Sequence, residues 1–107
     1  MKCPEHKVSL DKYQTKYGYR HSCPVKDCTV VWWGAENTTP AGLKLRNKRM
    51  AAHAELDPLW KKRKVKRGKL YKMLAEYMGL DQKDTHIGLF NIGQCDKVIQ
   101  FVLRIEP

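Results

Sequence analysis

Cys3-Pro4-Glu5-His6 and Cys23-Pro24-Val25-Lys26-Asp27-Cys28 are the two stretches from which the fold of this chain is read. The first is a C-x2-H turn and the second a C-x4-C turn, with Lys7 to Ser22 between them. Zinc is a borderline-soft ion that accepts thiolate sulfur and imidazole nitrogen, and a structural site fills all four tetrahedral positions with protein ligands. Cys3, His6, Cys23 and Cys28 supply that set. With three thiolates and one imidazole no position is left for water or substrate, so the spacing predicts one structural zinc that supports folding rather than hydrolysis. His21, two residues before Cys23, is the nearby rival to His6 as the nitrogen ligand. A Cys23–Cys28 disulfide is the alternative reading of the second turn. It is disfavoured because the chain shows no apolar N-terminal signal segment, so it is expected to stay in a reducing cytoplasm.

The prolines after Cys3 and Cys23 preset φ at the start of each turn and leave later peptide N–H groups free to point at sulfur. The spacer has room for two short strands. Val8 to Tyr13 and Tyr17 to Ser22 alternate in the period of a sheet, with a turn at Gln14-Thr15-Lys16. Thr29-Val30-Val31-Trp32-Trp33 reads as a third strand that Gly34 breaks. A ribbon of about 35 residues has almost no apolar core of its own, and the metal takes its place.

Thr38-Thr39-Pro40 is a helix-start signal, with a threonine N-cap and proline at the first helical position. It predicts a helix from about Ala41 to Glu55, with Leu43, Met50, Ala51 and Ala54 on one side. Asp57-Pro58 then marks its end, or the start of a second short helix carrying Leu59 and Trp60. Leu70, Leu74, Tyr77 and Met78 fall on one helical face, with Tyr71 alongside, and Gly79 ends that helix. Asp81 to Phe90 reads as a turn or short helix, with His86, Ile87, Leu89 and Phe90 folding back on the body. Asn91 and Gln94 form a capping box for a last helix whose Cys95, Val98, Ile99 and Val102 share a face. That placement makes Cys95 a buried apolar thiol.

The expected fold is therefore α+β: an N-terminal zinc ribbon of three short antiparallel strands (1–37), then a basic helical region of three to four helices (38–107) packed on the ribbon as a single compact unit. Its core is expected to use Leu59, Trp60, Leu70, Leu74, Tyr77, Met78, Phe90, Val98, Ile99 and Val102. No run of about 18 apolar residues is present, so no segment is expected to span a membrane.

The chain has 107 residues and a net charge of +10. Between Ala41 and Lys72 there are twelve Lys or Arg against two acids, Glu55 and Asp57. The excess of positive charge thus sits wholly in the middle third. Such clustering is the footprint of a polyanion binder, although charge runs are also common on solvated helix faces. Lys61-Lys62-Arg63-Lys64-Val65-Lys66-Arg67 contains no acid to relieve its self-repulsion, which favours binding.

With these landmarks in place the chain resembles a family of small phage and bacterial proteins described by a zinc-finger-containing domain. The residues that carry the resemblance run over nearly its full length: the turn at Cys3, the turn at Cys23 to Cys28, Thr39-Pro40-Ala41-Gly42-Leu43, Ala52-His53 leading into Leu56-Asp57-Pro58-Leu59-Trp60, and His86-Ile87-Gly88 with Phe90 and Cys95. It departs from the family's pattern at His6, where a cysteine is usual, and in its longer second turn. The resemblance implies a zinc ribbon plus helices, often phage-encoded, and supplies no reaction. Tyr17 to Cys28 also looks like the zinc ribbons at the C-terminal end of bacterial type I topoisomerases, which implies contact with single-stranded DNA.

Three functions follow as expectations. The leading one is a non-enzymatic module that binds nucleic acid, DNA above all. Lys61, Lys62, Arg63, Lys64, Lys66, Arg67, Lys44, Lys48 and Arg49 would neutralise phosphates, and Tyr17, Tyr19, Trp32 or Trp33 are candidates to stack on bases. Two of those four aromatics are equally suited to the ribbon's small core. The second is a protein-interaction or host-modulating module that meets an acidic protein partner. The third is a metal-dependent nuclease built on His53, Asp57 and His86. His53 and Asp57 stand at i and i+4, the spacing of a general-base pair, but equally of a helix-end histidine beside a helix-stopping aspartate, which is the favoured reading. No membrane partner and no small-molecule substrate are expected.

Overall fold

The computed structural model describes residues 1–62 and 65–105. Its elements are three strands, β1 (Asp11–Thr15), β2 (Gly18–Ser22) and β3 (Val31–Trp32), followed by α1 (Leu43–Lys61), α2 (Arg67–Met78) and α3 (Ile92–Ile105). Two short 3-10 turns, Gln82–Asp84 and Ile87–Leu89, join α2 to α3. The architecture is α+β, as the sequence predicts. Backbone contacts divide the chain into two compact units, one from Met1 to Arg46 and one from Asn47 onward.

In the first unit the strands form an antiparallel sheet in the order β1-β2-β3. Thr15 pairs with Gly18 and Asp11 with Ser22, so the hairpin turns at Lys16-Tyr17, one position later than the sequence suggests. Thr15 decides this: its hydroxyl donates to the Gly18 carbonyl at 2.7 Å and accepts from the Tyr17 N–H at 3.2 Å. Gly18 has a φ of +117°, a backbone region that costs a glycine little. Most hairpin side chains are exposed. The sheet therefore stabilises itself poorly by burial. Val31 and Ala41 are buried in this unit, and its packed cluster consists of Cys3, Cys23 and Val30 with Leu10 and Cys28 against them. Three of these five are the proposed ligands.

The start of α1 differs from expectation. Thr39-Pro40 does not open the helix, because Ala41 pairs with Val31 in an extra bridge through two 3.0 Å hydrogen bonds. The helix begins at Leu43, whose N–H donates to Thr29 Oγ1 at 2.9 Å. A threonine just after the second zinc turn thus satisfies one of the free amides at the helix start, a cap that comes from another part of the chain. Arg46 adds a bond from Nη2 to the Thr29 carbonyl at 3.0 Å.

The end of α1 is also corrected. The helix runs through Pro58 to Lys61, so Leu59 and Trp60 lie on it rather than on a second helix. Proline removes one N–H from the ladder, but Leu56 and Leu59 are both buried, one on each side of it, and their burial outweighs the lost bond. The buried face of α1 is Ala52, Leu56 and Leu59. Leu43, Met50, Ala51 and Ala54, the expected inner side, are exposed.

The second unit builds its core from these residues with Leu70, Leu74, Ala75, Ile87, Phe90, Cys95, Val98, Phe101 and Val102. Of the expected core residues, Trp60, Tyr77, Met78 and Ile99 are only half-buried. Phe101 takes the place expected for Ile99, its ring centroid 5.4 Å from that of Tyr77. Gly79 closes α2 in the left-handed region at φ 69°, and the Leu80 N–H reaches back to the Ala75 carbonyl at 3.0 Å. That pattern satisfies the last carbonyls of the helix. The capping box forms as read: Gln94 N–H donates to Asn91 Oδ1 at 2.8 Å and Asn91 N–H to Gln94 Oε1 at 3.0 Å. Among the described residues no helix is long and apolar enough to cross a membrane.

Candidate metal centre

Both turns close by the same device. The Cys3 N–H donates to the Val8 carbonyl at 2.8 Å, and the Cys23 N–H to the Val30 carbonyl at 3.2 Å. Inside the first, Lys7 N–H donates to the Cys3 carbonyl at 2.8 Å, and Lys7 sits at φ 60°. Inside the second, Cys28 N–H donates to the Val25 carbonyl at 3.1 Å, with Asp27 at φ 64°. The two extra residues of the C-x4-C turn are absorbed there, so the longer turn still brings its second cysteine to the first.

The ligand atoms converge. Cys3 Sγ lies 3.8 Å from Cys28 Sγ and 3.6 Å from His6 Nδ1, and Cys23 Sγ lies 3.7 Å from His6 Nδ1. All four atoms fall within 4.8 Å of one another. A regular tetrahedron with Zn–S of about 2.3 Å and Zn–N of about 2.0–2.1 Å has S···S edges of about 3.8 Å and S···N edges of about 3.6 Å. The cluster therefore fits one structural zinc ion, with His6 bound through Nδ1. His21 does not join it. Its ring instead lies 5.0 Å from that of Trp32.

The thiols show why a cation belongs there. Burial pushes the Cys3 thiol up, but hydrogen bonds from the His6 backbone and ring, the Glu5 backbone and the Cys23 thiol outweigh it and bring it down to about 7. The Val30 N–H pulls the Cys28 thiol down, but desolvation together with the neighbouring Cys23 and Cys3 outweighs it and pushes Cys28 up to about 11. Neighbouring thiols cannot all ionise without a compensating charge. A divalent ion removes that conflict, and binding it releases protons. Of the amides aimed at sulfur, those of Glu5 and His6 lie in the first proline-led turn, and that of Val30 follows the second turn.

The family model of a zinc-finger-containing domain matches residues 7–105. The chain belongs to that family. The matched stretch includes Cys23 and Cys28 and starts just after His6, so the first pair of ligands rests on the convergence of side chains described above. No curated protein and no solved structure matches the chain.

The other candidate residues fall in different settings. Lys61, Lys62, Lys66 and Arg67 are exposed at the end of α1 and the start of α2, whereas Arg63 and Lys64 lie outside the described residues. Lys44 is exposed. Lys48 is paired with Asp96 at 2.7 Å, and Arg49 Nε donates to the Phe90 carbonyl at 3.0 Å, so each has a partner within the fold. Tyr17, Tyr19 and Trp33 are exposed, and Trp32 is half-buried with its indole N–H on Thr38 Oγ1 at 3.0 Å.

His53 Nδ1 and Asp57 Oδ2 are 3.6 Å apart at the edge of a shallow hollow lined also by Met50, Ala54, Pro58 and Lys61. His86 is the half-buried residue before the second 3-10 turn. Cys95 is fully buried, and burial pushes its thiol up.

Sequence reasoning missed Thr29 and Glu5. Glu5 Oε2 lies 3.6 Å from Cys28 Sγ. Nothing local marks Thr29 as a helix cap.

Proposed function

We propose that this chain is a non-enzymatic, zinc-stapled module that binds nucleic acid, DNA above all, through the basic surface where α1 ends and α2 begins. The observation that carries this reading is charge without carboxylate partners among the described residues. Lys61, Lys62, Lys66, Arg67, Lys69 and Lys72 are all exposed, and among the described residues none is in salt-bridge range of a carboxylate. Six like charges crowded in this way repel one another, and phosphates relieve that repulsion while releasing condensed counterions. Arg63 and Lys64 extend the same run in the sequence.

The ribbon adds exposed aromatics. Lys12 Nζ stands 4.2 Å from the Tyr19 ring centroid and Lys16 Nζ 5.1 Å from that of Tyr17, a pairing of cation and ring suited to backbone and base together. His53 and Asp57 are read as a surface pair, since the second Asp57 oxygen is taken by the Trp60 indole N–H at 3.2 Å. A bacterial cytoplasm and a phage genome as source belong to the same proposal.

Binding of the zinc-loaded protein to fluorescent single- and double-stranded oligonucleotides, titrated across salt, tests it. Contact with six phosphates gives a log–log salt slope of about −5 and roughly a thousandfold loss of affinity between 50 and 200 mM salt. Changing Lys61, Lys62, Lys66 and Lys69 together to Gln should flatten that slope by about 3–4. No binding at low salt would remove the reading and point to an acidic protein partner.

A further inference from the structure

Trp60 and Tyr71 bring two rings to the basic surface, and Arg67 stands over both while Lys61 Nζ lies 5.6 Å from the Trp60 centroid. Arg67 is the first residue of α2 and Tyr71 follows one turn later, so the two side chains meet on one helical face. The Arg67 guanidinium carbon lies 4.7 Å from the Tyr71 ring centroid and 5.5 Å from that of Trp60, near the end of α1. Trp60 is held in turn by its indole bond to Asp57. Both distances are within cation–π range. Lysines 62, 66, 69 and 72 are exposed, and long lysine chains lose rotamer freedom when they bind.

Arg67 also hydrogen-bonds the Tyr71 hydroxyl, which engages one of its five N–H groups and leaves the others to offer. A guanidinium edge is a planar fork that matches two phosphate oxygens, whereas an ammonium acts as a point charge. Resting on the nucleic-acid reading above, we propose that Arg67 grips a backbone phosphate in bidentate fashion and sets the register of the basic surface on the strand. Trp60 and Tyr71 are its positioning residues. The flanking lysines contribute charge without fixing geometry.

The test is oligonucleotide binding by Arg67→Lys, Tyr71→Phe and Tyr71→Leu variants, each checked for an unchanged far-UV spectrum and melting midpoint. Arg67→Lys keeps the charge, so the salt slope should stay as in the wild type while affinity falls about tenfold. Tyr71→Phe keeps the ring and removes only the hydroxyl's hydrogen bond to Arg67, so it should lose less affinity than Tyr71→Leu. Tyr71→Leu should weaken binding in the Arg67 protein but add nothing in an Arg67→Lys background, because the ring acts only through the guanidinium.

Wild-type affinity in Arg67→Lys, or additive losses in the double variant, would overturn the proposal while leaving the nucleic-acid reading intact. A wild-type protein that binds no oligonucleotide at low salt would overturn both.

Discussion

Replacing Cys23 with Ser, or stripping the metal with a chelator, is expected to unfold the ribbon and leave the helical unit standing. The ribbon's packed cluster is Cys3, Cys23 and Val30 with Leu10 and Cys28, and most of its hairpin faces solvent. Without the ion, three of those five side chains become thiols that compete for protons rather than anchors of two turns. Structural zinc sites of this type contribute about 10–16 kcal/mol in small zinc-binding peptides, more than the stability of most whole domains. Amide resonances of residues 1–46 should therefore collapse on chelation, while the helical far-UV signal persists. The Cys23→Ser chain should carry far less than one equivalent of zinc. A variant that keeps a full equivalent would contradict the ligand assignment.

Phe90→Ala is expected to have the second largest effect, confined to the helical unit. Phe90 is 1% exposed and is the largest of the fully buried side chains. Its backbone carbonyl also receives Arg49, so the residue joins the 3-10 segment to α1 through both main chain and side chain. Removing a buried phenyl costs about 3–5 kcal/mol through lost transfer energy and the cavity left behind. For a unit of this size that corresponds to a fall in melting midpoint of more than ~10 °C. Leu103→Ala, at a side chain 68% exposed, should stay within about 0.5 kcal/mol of the wild type. Equal effects of the two substitutions would show that the core is misplaced.

The metal centre was legible in the sequence because its information is local. Each turn declares two ligands, a proline and the free amides, and only the pairing of the turns is left to the fold. The Asn91/Gln94 box and Gly79 were legible for the same reason, since each acts within one helical turn. The limits of α1 were not. Its start depends on Thr29, fourteen residues upstream, and on a bridge that takes Ala41 into the sheet. Its passage through Pro58 depends on burial of Leu56 and Leu59 against residues distant in the sequence. Its inner face was hidden as well. Arg49 reaches the Phe90 carbonyl, so a cation occupies a position that apolar patterning assigns to the outside, and Met50 beside it is exposed.

Charge behaved in the same way. The sequence shows a uniform basic middle third, but the fold sorts it. Lys48 pairs with Asp96, Arg49 bonds the Phe90 carbonyl, Arg46 bonds the Thr29 carbonyl, and the residues around the α1–α2 junction are left without carboxylate partners among the described residues. That sorting narrows the proposed phosphate contacts to the junction.

The ribbon stands or falls with the identity of its four ligand atoms. X-ray absorption at the zinc edge of the purified protein reads them directly. The structure requires three sulfurs at about 2.3 Å and one nitrogen at about 2.0–2.1 Å. A shell of sulfur alone, or one with two nitrogens or a water oxygen, would contradict the closed site formed by Cys3, His6, Cys23 and Cys28.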